Sequence, residues 1–229
     1  MRKLLNVEGL KAWYGNTQVL FDVDLSVEEG QVISLMGRNG MGKSSTISSI
    51  LGMMSRIEGK IEFAGTSIIT SPSHNIARQG IGLVPEGRRV FPNLSVLENL
   101  IAASTVGPWG LQQVYNLFPK LEERTKQSAS TLSGGEQQML VIGRALMTNP
   151  KLLILDEATE GLAPVVRQEI WEAIHKLKDD GISILIVDKT LKELLALSDN
   201  CFILERGQTV WDGIPSNLDD KIADKYLGV

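Results

Sequence analysis

The glycine-rich segment GRNGMGKS, residues 37–44, constrains the fold of this chain more than any other feature. It matches the pattern G-x-x-x-x-G-K-[ST], follows the strand-like run QVISLM and opens a helix pattern, the setting of a phosphate-binding loop. Backbone N–H groups and the positive end of the helix then face an anion. Lys43 is expected to bridge the β and γ phosphates of a nucleotide, and Ser44 to hold Mg²⁺. The alternative, a plain glycine turn, does not account for both side chains.

The whole loop and the residue after it are predicted to bind the nucleotide. These residues are Gly37, Arg38, Asn39, Gly40, Met41, Gly42, Lys43, Ser44 and Ser45.

Alternating strand and helix patterns predict an α/β fold with a mostly parallel core sheet covered on both faces. A typical helix pattern begins with Pro164 and stops before Gly181, as helix ends favour. Short apolar runs bounded by turn residues are typical of buried strands. They are residues 32–36, 81–84, 152–155, 182–187 and 201–204.

The first third of the chain has a different pattern. The stretches LLNVEGLKAWYG, TQVLFDVDLSVEEG and GKIEFAGTSI predict strands separated by turns, hence an N-terminal antiparallel layer beside the nucleotide site. Residues from about 95 to 126 are rich in helix formers, and Ser95 with Glu98 matches a capping box. We therefore expect one domain over residues 1–229, with a helical subdomain at about 88–148 inserted in the core.

Bulk properties exclude several classes of function. The formal net charge is -4 and no long basic run is present, which argues against a nucleic-acid partner. The start MRKLLNVEGL lacks the apolar region of a secretory signal, and no run is long enough to span a bilayer. We expect a cytoplasmic chain whose link to a membrane is another subunit. The single Cys201 is interpreted as a small buried residue of a strand.

A second polar feature is the strand end KLLILDE, which places Asp156 and Glu157 where open α/β sheets bind ligands. Asp156 is expected to orient Mg²⁺. Glu157 is a candidate general base that accepts a proton from the attacking water. The alternative is that both residues begin a solvated turn.

A second glycine-rich turn, LSGGEQQ, occupies residues 132–138. Ser133 and Glu136 form a capping-box pattern ahead of an amphipathic helix. A cap does not require Gly134 and Gly135, which cost about 1 kcal/mol each in a helix interior. Bare backbone at a helix N-terminus suits an approaching anion. Because the chain already has its own phosphate loop, we assign this turn to a nucleotide bound by a second subunit.

In this order and spacing, GRNGMGKS, LSGGEQQ and LLILDE resemble the ATP-binding subunits of ABC transporters over essentially the whole chain. The resemblance implies a P-loop NTPase fold and a head-to-tail dimer, homomeric or heteromeric, with two ATP molecules between phosphate loops and opposing signature turns. It implies that Ser133, Gly134, Gly135 and Glu136 contact the ATP of the partner. It also implies that Tyr14 stacks on adenine, although a tyrosine alone is more typical of a half-buried aromatic residue.

Residues 81–100, IGLVPEGRRVFPNLSVLENL, and residues 156–164, DEATEGLAP, resemble the importers of branched-chain amino acids and related amides. In these relatives the first segment runs from the γ-phosphate sensor to the surface that contacts the membrane subunit. Glu86 stands where most ABC proteins have glutamine, and is expected to take part in catalysis and metal binding. Ala163 stands where many have aspartate. Without the resemblance, GRRVFP is typical of a solvated loop.

The switch histidine of the family is absent after ISILIV, and Lys189 takes its position. Lys189 can contact a γ-phosphate as a cation, but it cannot reproduce the titration of histidine near neutral pH. Our hypothesis is that the site built on this phosphate loop hydrolyses ATP slowly or depends on its partner, within an asymmetric dimer. His74 and His175 are interpreted as surface or packing residues.

The resemblance implies the ATPase subunit of a bacterial importer that couples ATP hydrolysis to uptake of branched-chain or related amino acids. Its partners are a second ATPase subunit, permease subunits and, indirectly, an external solute-binding protein, and its place is the cytoplasmic face of the plasma membrane. Alternatives are a urea or short-amide importer, a soluble ABC ATPase that acts on nucleic acid or ribosomes, and, remotely, a kinase.

Overall fold

A ten-stranded sheet organises residues 2–228, which are the residues described by the structure, a computed structural model. Its spatial order is β5-β4-β1-β2-β10-β9-β3-β8-β7-β6 when the strands are numbered along the chain. The strands are β1 (Lys3–Tyr14), β2 (Thr17–Glu28), β3 (Val32–Met36), β4 (Arg56–Phe63), β5 (Thr66–Ser67), β6 (Ile81–Val84), β7 (Leu152–Asp156), β8 (Ser183–Val187), β9 (Asn200–Glu205) and β10 (Gln208–Gly213).

The half of the sheet from β9 to β6 is parallel, which confirms the predicted core. Strands β3, β7 and β8 are buried at every position, as expected for strands covered by helices on both faces. The strands predicted at 32–36 and 81–84 have the predicted bounds. Those predicted at 152–155 and 182–187 differ by one residue at one end, and that predicted at 201–204 is one residue longer at each end.

The other half of the sheet is antiparallel, as predicted for the first third of the chain. Strand β1 pairs with β2 and β4, and β4 pairs with β5. The strand that joins the halves is β10, which pairs antiparallel with β9 and touches β2 through Gln208 and Asp22. The sequence pattern did not predict β10, because QTVWDG contains no apolar run.

Helices cover both faces of the sheet, and several begin at predicted caps. Ser95 and Glu98 form the predicted capping box, with Ser95 N donating to Glu98 Oε2 over 2.7 Å. The helices between β6 and β7 lie within residues 88–148, and the extent of the subdomain there stays a prediction. The helices are α1 (Lys43–Ile50), α2 (Ser73–Arg78), α3 (Val96–Ile101), α4 (Leu111–Leu117), α5 (Pro119–Glu123), α6 (Gly134–Leu146), α7 (Pro164–Asp179), α8 (Leu191–Leu197) and α9 (Asp220–Tyr226).

The sheet separates two apolar cores, because alternate residues of each central strand face opposite sides. In β7, Leu153 and Leu155 join the core under α6 and α7, whereas Leu152 and Ile154 join the core that includes α1. Cys201 is fully buried in β9, and this burial raises the pKa of its thiol. No helix within residues 2–228 has the length and apolar character needed to cross a bilayer.

Candidate functional site

The phosphate loop turns between β3 and α1 through glycines that no larger residue could replace without strain. Gly42 has a left-handed φ of 108° at the N-terminus of α1. A Cβ atom there would lie 2.7 Å from Leu20 Cδ2, and a Cβ atom on Gly37 would lie 2.4 Å from the Leu204 carbonyl oxygen. Local packing therefore requires glycine at both positions of the loop.

Lys43 begins α1, and its ammonium lies over the loop. Lys43 Nζ donates to the carbonyl oxygens of Gly37 at 2.7 Å and Arg38 at 3.0 Å. Burial lowers the pKa of Lys43, and the negative charges of Glu157 and Asp156 oppose that shift. The cation therefore sits between the loop and the acidic end of β7.

A polar cavity of about 440 Å³ brings the phosphate loop, the acidic strand end and Lys189 together. Val19 and Glu160, which the sequence pattern did not single out, also line it. The predicted site residues in its lining are Asn39, Gly40, Gly42, Lys43, Ser44, Ser45, Glu86, Glu157 and Lys189.

Three predicted loop residues lie outside this lining. Gly37 and Arg38 line an adjacent cavity beside α8, and Arg38 Nη2 donates to the Asp224 carbonyl of α9 at 3.2 Å. Met41 faces the turn between β9 and β10, where its sulfur accepts from Arg206 N at 3.3 Å. Their contact with a nucleotide therefore stays a prediction.

Asp156 ends β7 with an incompletely satisfied carboxylate. It is only 6% exposed, and its Oδ1 atom has no hydrogen-bond partner among the described residues. Burial raises the pKa of Asp156 to about 6, the charge of Glu86 adds to the effect, and Lys43 opposes it. A buried, unpaired carboxylate oxygen suits a cation. Between residues 2 and 228 there is no cluster of three or more His, Cys, Asp or Glu side chains that could hold a metal.

Glu157 adopts a backbone conformation that is rare for a residue with a side chain. Its φ is 49°, and its N–H donates to the Val187 carbonyl at 2.8 Å. Non-glycine residues in this region carry strain and are frequent at functional sites. The strained turn aims the carboxylate into the cavity beside Lys189.

Lys189 pairs with two carboxylates at once. Its Nζ lies 3.2 Å from Glu157 Oε2 and also forms an ion pair with Glu160. The neighbouring Glu160 carboxylate and partial burial raise the pKa of Glu157, whereas Lys189 lowers it. The two carboxylates raise the pKa of Lys189, so it remains a cation. The residue at the histidine position therefore contacts the predicted base directly.

Asp188 organises this region, although the sequence pattern did not assign it a role. Its carboxylate accepts from Thr159 Oγ1 at 2.7 Å, from Lys189 N at 2.8 Å and from Thr190 N at 3.0 Å. It thereby ties the turn after β7 to the turn after β8. An aspartate directly after a buried strand and two residues before a threonine is typical of an Asx turn, and this signal could have identified it.

The signature turn at residues 132–138 begins α6 through the predicted capping box. Ser133 N donates to Glu136 Oε2 at 2.8 Å, and Glu136 N donates to Ser133 Oγ at 3.3 Å. Partial burial raises the pKa of Glu136, but the hydrogen bonds from Ser133 and the charge of Arg124 outweigh it and lower the pKa. This turn does not line the cavity at the phosphate loop.

Both glycines of that turn pack against side chains of the same chain. A Cβ atom on Gly134 would lie 2.3 Å from Arg88 Nη1, and one on Gly135 would lie 2.3 Å from Val166 Cγ1. Both glycines therefore also have a local packing role, which the sequence pattern did not indicate. The contact of Ser133, Gly134, Gly135 and Glu136 with a nucleotide of a partner stays a prediction.

The remaining predicted residues lie apart from the cavity. Tyr14 ends β1, is 56% exposed and does not line the cavity, so its stacking on adenine also stays a prediction. His74 is exposed on α2 and His175 is half-buried on α7, in agreement with their interpretation as surface or packing residues.

Comparison with known proteins identifies relatives over the full chain. The sequence profile of the family described as ABC transporter matches residues 20–160. The high-affinity branched-chain amino acid transport ATP-binding protein BraG of Pseudomonas aeruginosa is 40% identical over 232 residues, which cover 98% of this chain and 100% of BraG. The lipopolysaccharide export system ATP-binding protein LptB of Escherichia coli is 32% identical over 233 residues, which cover 98% of this chain and 97% of LptB.

A solved structure shares the fold over its full length. The crystal structure of an ATP-binding cassette of an ABC transporter, in its ADP conformation, superimposes with a TM-score of 0.85 at 27% identity, covering 100% of both chains.

Asp156 is expected to make stability depend on pH. With a folded pKa of about 6 and an ordinary value of 3.8, the folded protein binds the extra proton between these values. The contribution of Asp156 to the free energy of unfolding is therefore complete below pH 3.8 and is lost as the pH rises through about 6. The free energy of unfolding of the wild type minus that of Asp156→Asn should therefore fall from about pH 4 to about pH 6 and level off above. Urea unfolding without nucleotide or magnesium measures it, and a flat difference would contradict the raised pKa.

The glycines of the signature turn are expected to differ in their tolerance of alanine. Gly135→Ala should lower the free energy of unfolding by about 1–3 kcal/mol, because β-branched Val166 cannot easily move away. Gly134→Ala is the matched comparison, since its Cβ atom meets only the far end of the long, unbranched Arg88 side chain, which can shift at the expense of its hydrogen bonds to the Glu160 and Gly161 carbonyls, and it should cost less. In a Val166→Ala background, Gly135→Ala should cost less than in the wild type. Urea unfolding compares the variants; equal losses for both glycines would contradict this packing.

Proposed function

Because the chain belongs to the ABC transporter family as one of its ATP-binding ATPase subunits, we propose that it drives import of branched-chain or related amino acids. The observation that carries the proposal is the 40% identity with BraG, a branched-chain amino acid transport ATP-binding protein, over 98% of this chain and 100% of BraG. The segments at residues 81–100 and 156–164, which resemble that importer group, support it.

A second candidate is an exporter of the lipopolysaccharide type. LptB, named for lipopolysaccharide export, is 32% identical over nearly the whole chain. We place it second because the identity with BraG is higher. Import of urea or short amides is a further alternative within the importer group, since no part of an ATPase subunit contacts the solute.

The phosphate loop would hold the ATP triphosphate through backbone N–H groups at the start of α1. Lys43 would exchange its contacts with the Gly37 and Arg38 carbonyls for phosphate oxygens. Tyr14 would stack on the adenine, and the other residues of the phosphate loop would also contact the nucleotide. Glu157, in the cavity with Lys43, would accept a proton from the attacking water.

Ser44, Asp156 and Glu86 are the residues that would hold Mg²⁺. The unpaired Oδ1 atom of Asp156 fits this role, because it is buried and lacks a donor among residues 2–228. Magnesium at nucleotide sites takes phosphate oxygens and water together with one or two carboxylates, so a protein cage is not required. The ion would neutralise charge on the phosphates when bound.

Lys189 would act as a fixed cation at the edge of the site. It lies 3.2 Å from Glu157 Oε2, so it orients the base, and its charge opposes the effects of Glu160 and burial, which raise the pKa of Glu157. Slow hydrolysis at this site, or dependence on a better equipped partner, is part of the proposal because a lysine cannot reproduce the titration of the family's switch histidine.

The assembly we propose is a head-to-tail pair of ATPase subunits bound to permease subunits at the cytoplasmic face of the membrane, with an external protein that delivers the solute. Ser133, Gly134, Gly135 and Glu136 would contact the ATP held by the partner. The exposure of Ser133 at the N-cap of α6 supports this role, as does the position of the signature turn outside the cavity at the chain's own phosphate loop.

Substitutions at the acidic strand end test the reaction. Glu157→Gln should lower the ATP turnover of the purified chain by about 10²-fold or more, since general-base catalysis contributes factors of that size, and ATP binding should persist. Lys189→His should change turnover clearly, whereas Lys192→Ala, an exposed lysine on α8, is the control and should not. Phosphate release and nucleotide fluorescence measure the two properties. If Glu157→Gln hydrolyses ATP at the wild-type rate, Glu157 is not the general base.

A transport measurement tests the solute. The tagged chain should co-purify from solubilised membranes with permease subunits, and the recovered complex in vesicles should take up labelled leucine when ATP is present. Uptake of urea instead of leucine would favour the amide importer. Recovery with lipopolysaccharide export components would overturn the import proposal.

A further inference from the structure

Arg88 joins two turns that are distant in sequence. It is half-buried in the loop after β6, where Gly87 and Arg88 both have positive φ angles, 81° and 51°. Its Nη2 atom donates to the Gly161 carbonyl at 2.9 Å and to the Glu160 carbonyl at 3.3 Å. The guanidinium therefore holds the end of the turn that follows β7 by two backbone acceptors.

The opposite side of the guanidinium lies against the signature turn. A Cβ atom on Gly134 would lie 2.3 Å from Arg88 Nη1 and 3.0 Å from its Cζ. A Cβ atom on Gly161 would lie 3.0 Å from Nη2. The signature turn and the turn after β7 thus both approach the Arg88 guanidinium through a glycine. The guanidinium lies between the two turns and sets the distance between them.

The turn that Arg88 holds carries the residues around the predicted base. The Glu160 side chain pairs with Lys189, and Lys189 Nζ lies 3.2 Å from Glu157 Oε2. Thr159, in the same turn, donates to Asp188 at 2.7 Å. Asp188 therefore holds the turn on the side of β8, and Arg88 holds it on the side of α6.

We propose that Arg88 is a positioning residue for ATP hydrolysis, which fixes Glu157 through Glu160 and Lys189 and links that base to the signature turn at Gly134. This inference rests on the proposed ATPase reaction. Arg88 itself contacts backbone and not the reacting atoms. A displacement of about 1 Å at a reacting group can cost up to about 10² in rate, so a loosened turn is expected to slow the chemical step.

The test compares neighbouring arginines in the full chain. Arg88→Ala should lower kcat for ATP about tenfold with KM within about twofold, because a positioning role acts on the chemical step while the phosphate loop stays intact. Arg89→Ala is the matched control: Arg89 is exposed, and its carbonyl, which accepts from Arg144 at 2.5 Å, survives the substitution. Circular dichroism melting should give similar Tm values for the two variants.

A double-mutant cycle separates positioning from a merely structural role. Glu160→Gln keeps the backbone acceptor of Arg88 but removes the ion pair with Lys189. If Arg88 acts through Glu160, Arg88→Ala should change kcat by less than about twofold in that background. If the reductions in kcat caused by the two single substitutions instead multiply in the double variant, Arg88 does not act through Glu160. Arg88→Lys, which keeps the charge but loses the planar fork, should fall between wild type and alanine; it serves in the same cycle if the alanine variant does not fold.

The outcomes distinguish this inference from the function on which it rests. A wild-type chain without ATPase activity, alone or with its membrane partners, would contradict the proposed function. An active wild type with equal kcat for Arg88→Ala and Arg89→Ala would contradict only the positioning role.

Discussion

The parallel pairing of β3 with β8, and of β8 with β7, brings the chemistry of this protein to one edge of the sheet. The carboxyl ends of these neighbouring strands carry the phosphate loop, the Asp188–Lys189 pair and the Asp156–Glu157 pair, respectively. Their register is held by side chains that alternate between two apolar cores. A slip of one residue would reverse every side chain of a strand, so the cores fix the site as firmly as they fix the fold.

Charge balance is the second constraint on the site. Lys43 and Lys189 share the cavity with Glu86, Glu157 and Glu160, while Asp156 lies buried beneath them. Burial penalises the charges of Lys43 and Asp156, so it lowers the pKa of Lys43 and raises the pKa of Asp156. A highly charged ligand such as ATP would therefore meet two side chains whose charged forms burial has already destabilised.

The features that the sequence predicts correctly are those whose structure is determined by residues close together in the chain. The loop before α1, the buried strands and the capping boxes depend on residues close together in the chain, and these predictions are confirmed by the fold. Strand β10 was missed because its pairing with β9 and β2, and not its composition, makes it a strand. The contact of Arg88 with Gly134, and the network around Asp188, join segments far apart in sequence. No spacing rule connects such positions, so only the folded chain reveals them.

The complete burial of Cys201 has a practical consequence. It is the single cysteine of the chain, and its thiol lies inside β9 with a raised pKa. A buried thiol that rarely ionises is inert toward maleimide reagents. A cysteine introduced on the surface would therefore carry a probe at one defined position, without removal of the native residue. In the proposed pair of ATPase subunits, the distance between two such labels could then be followed by spectroscopy as nucleotide is added.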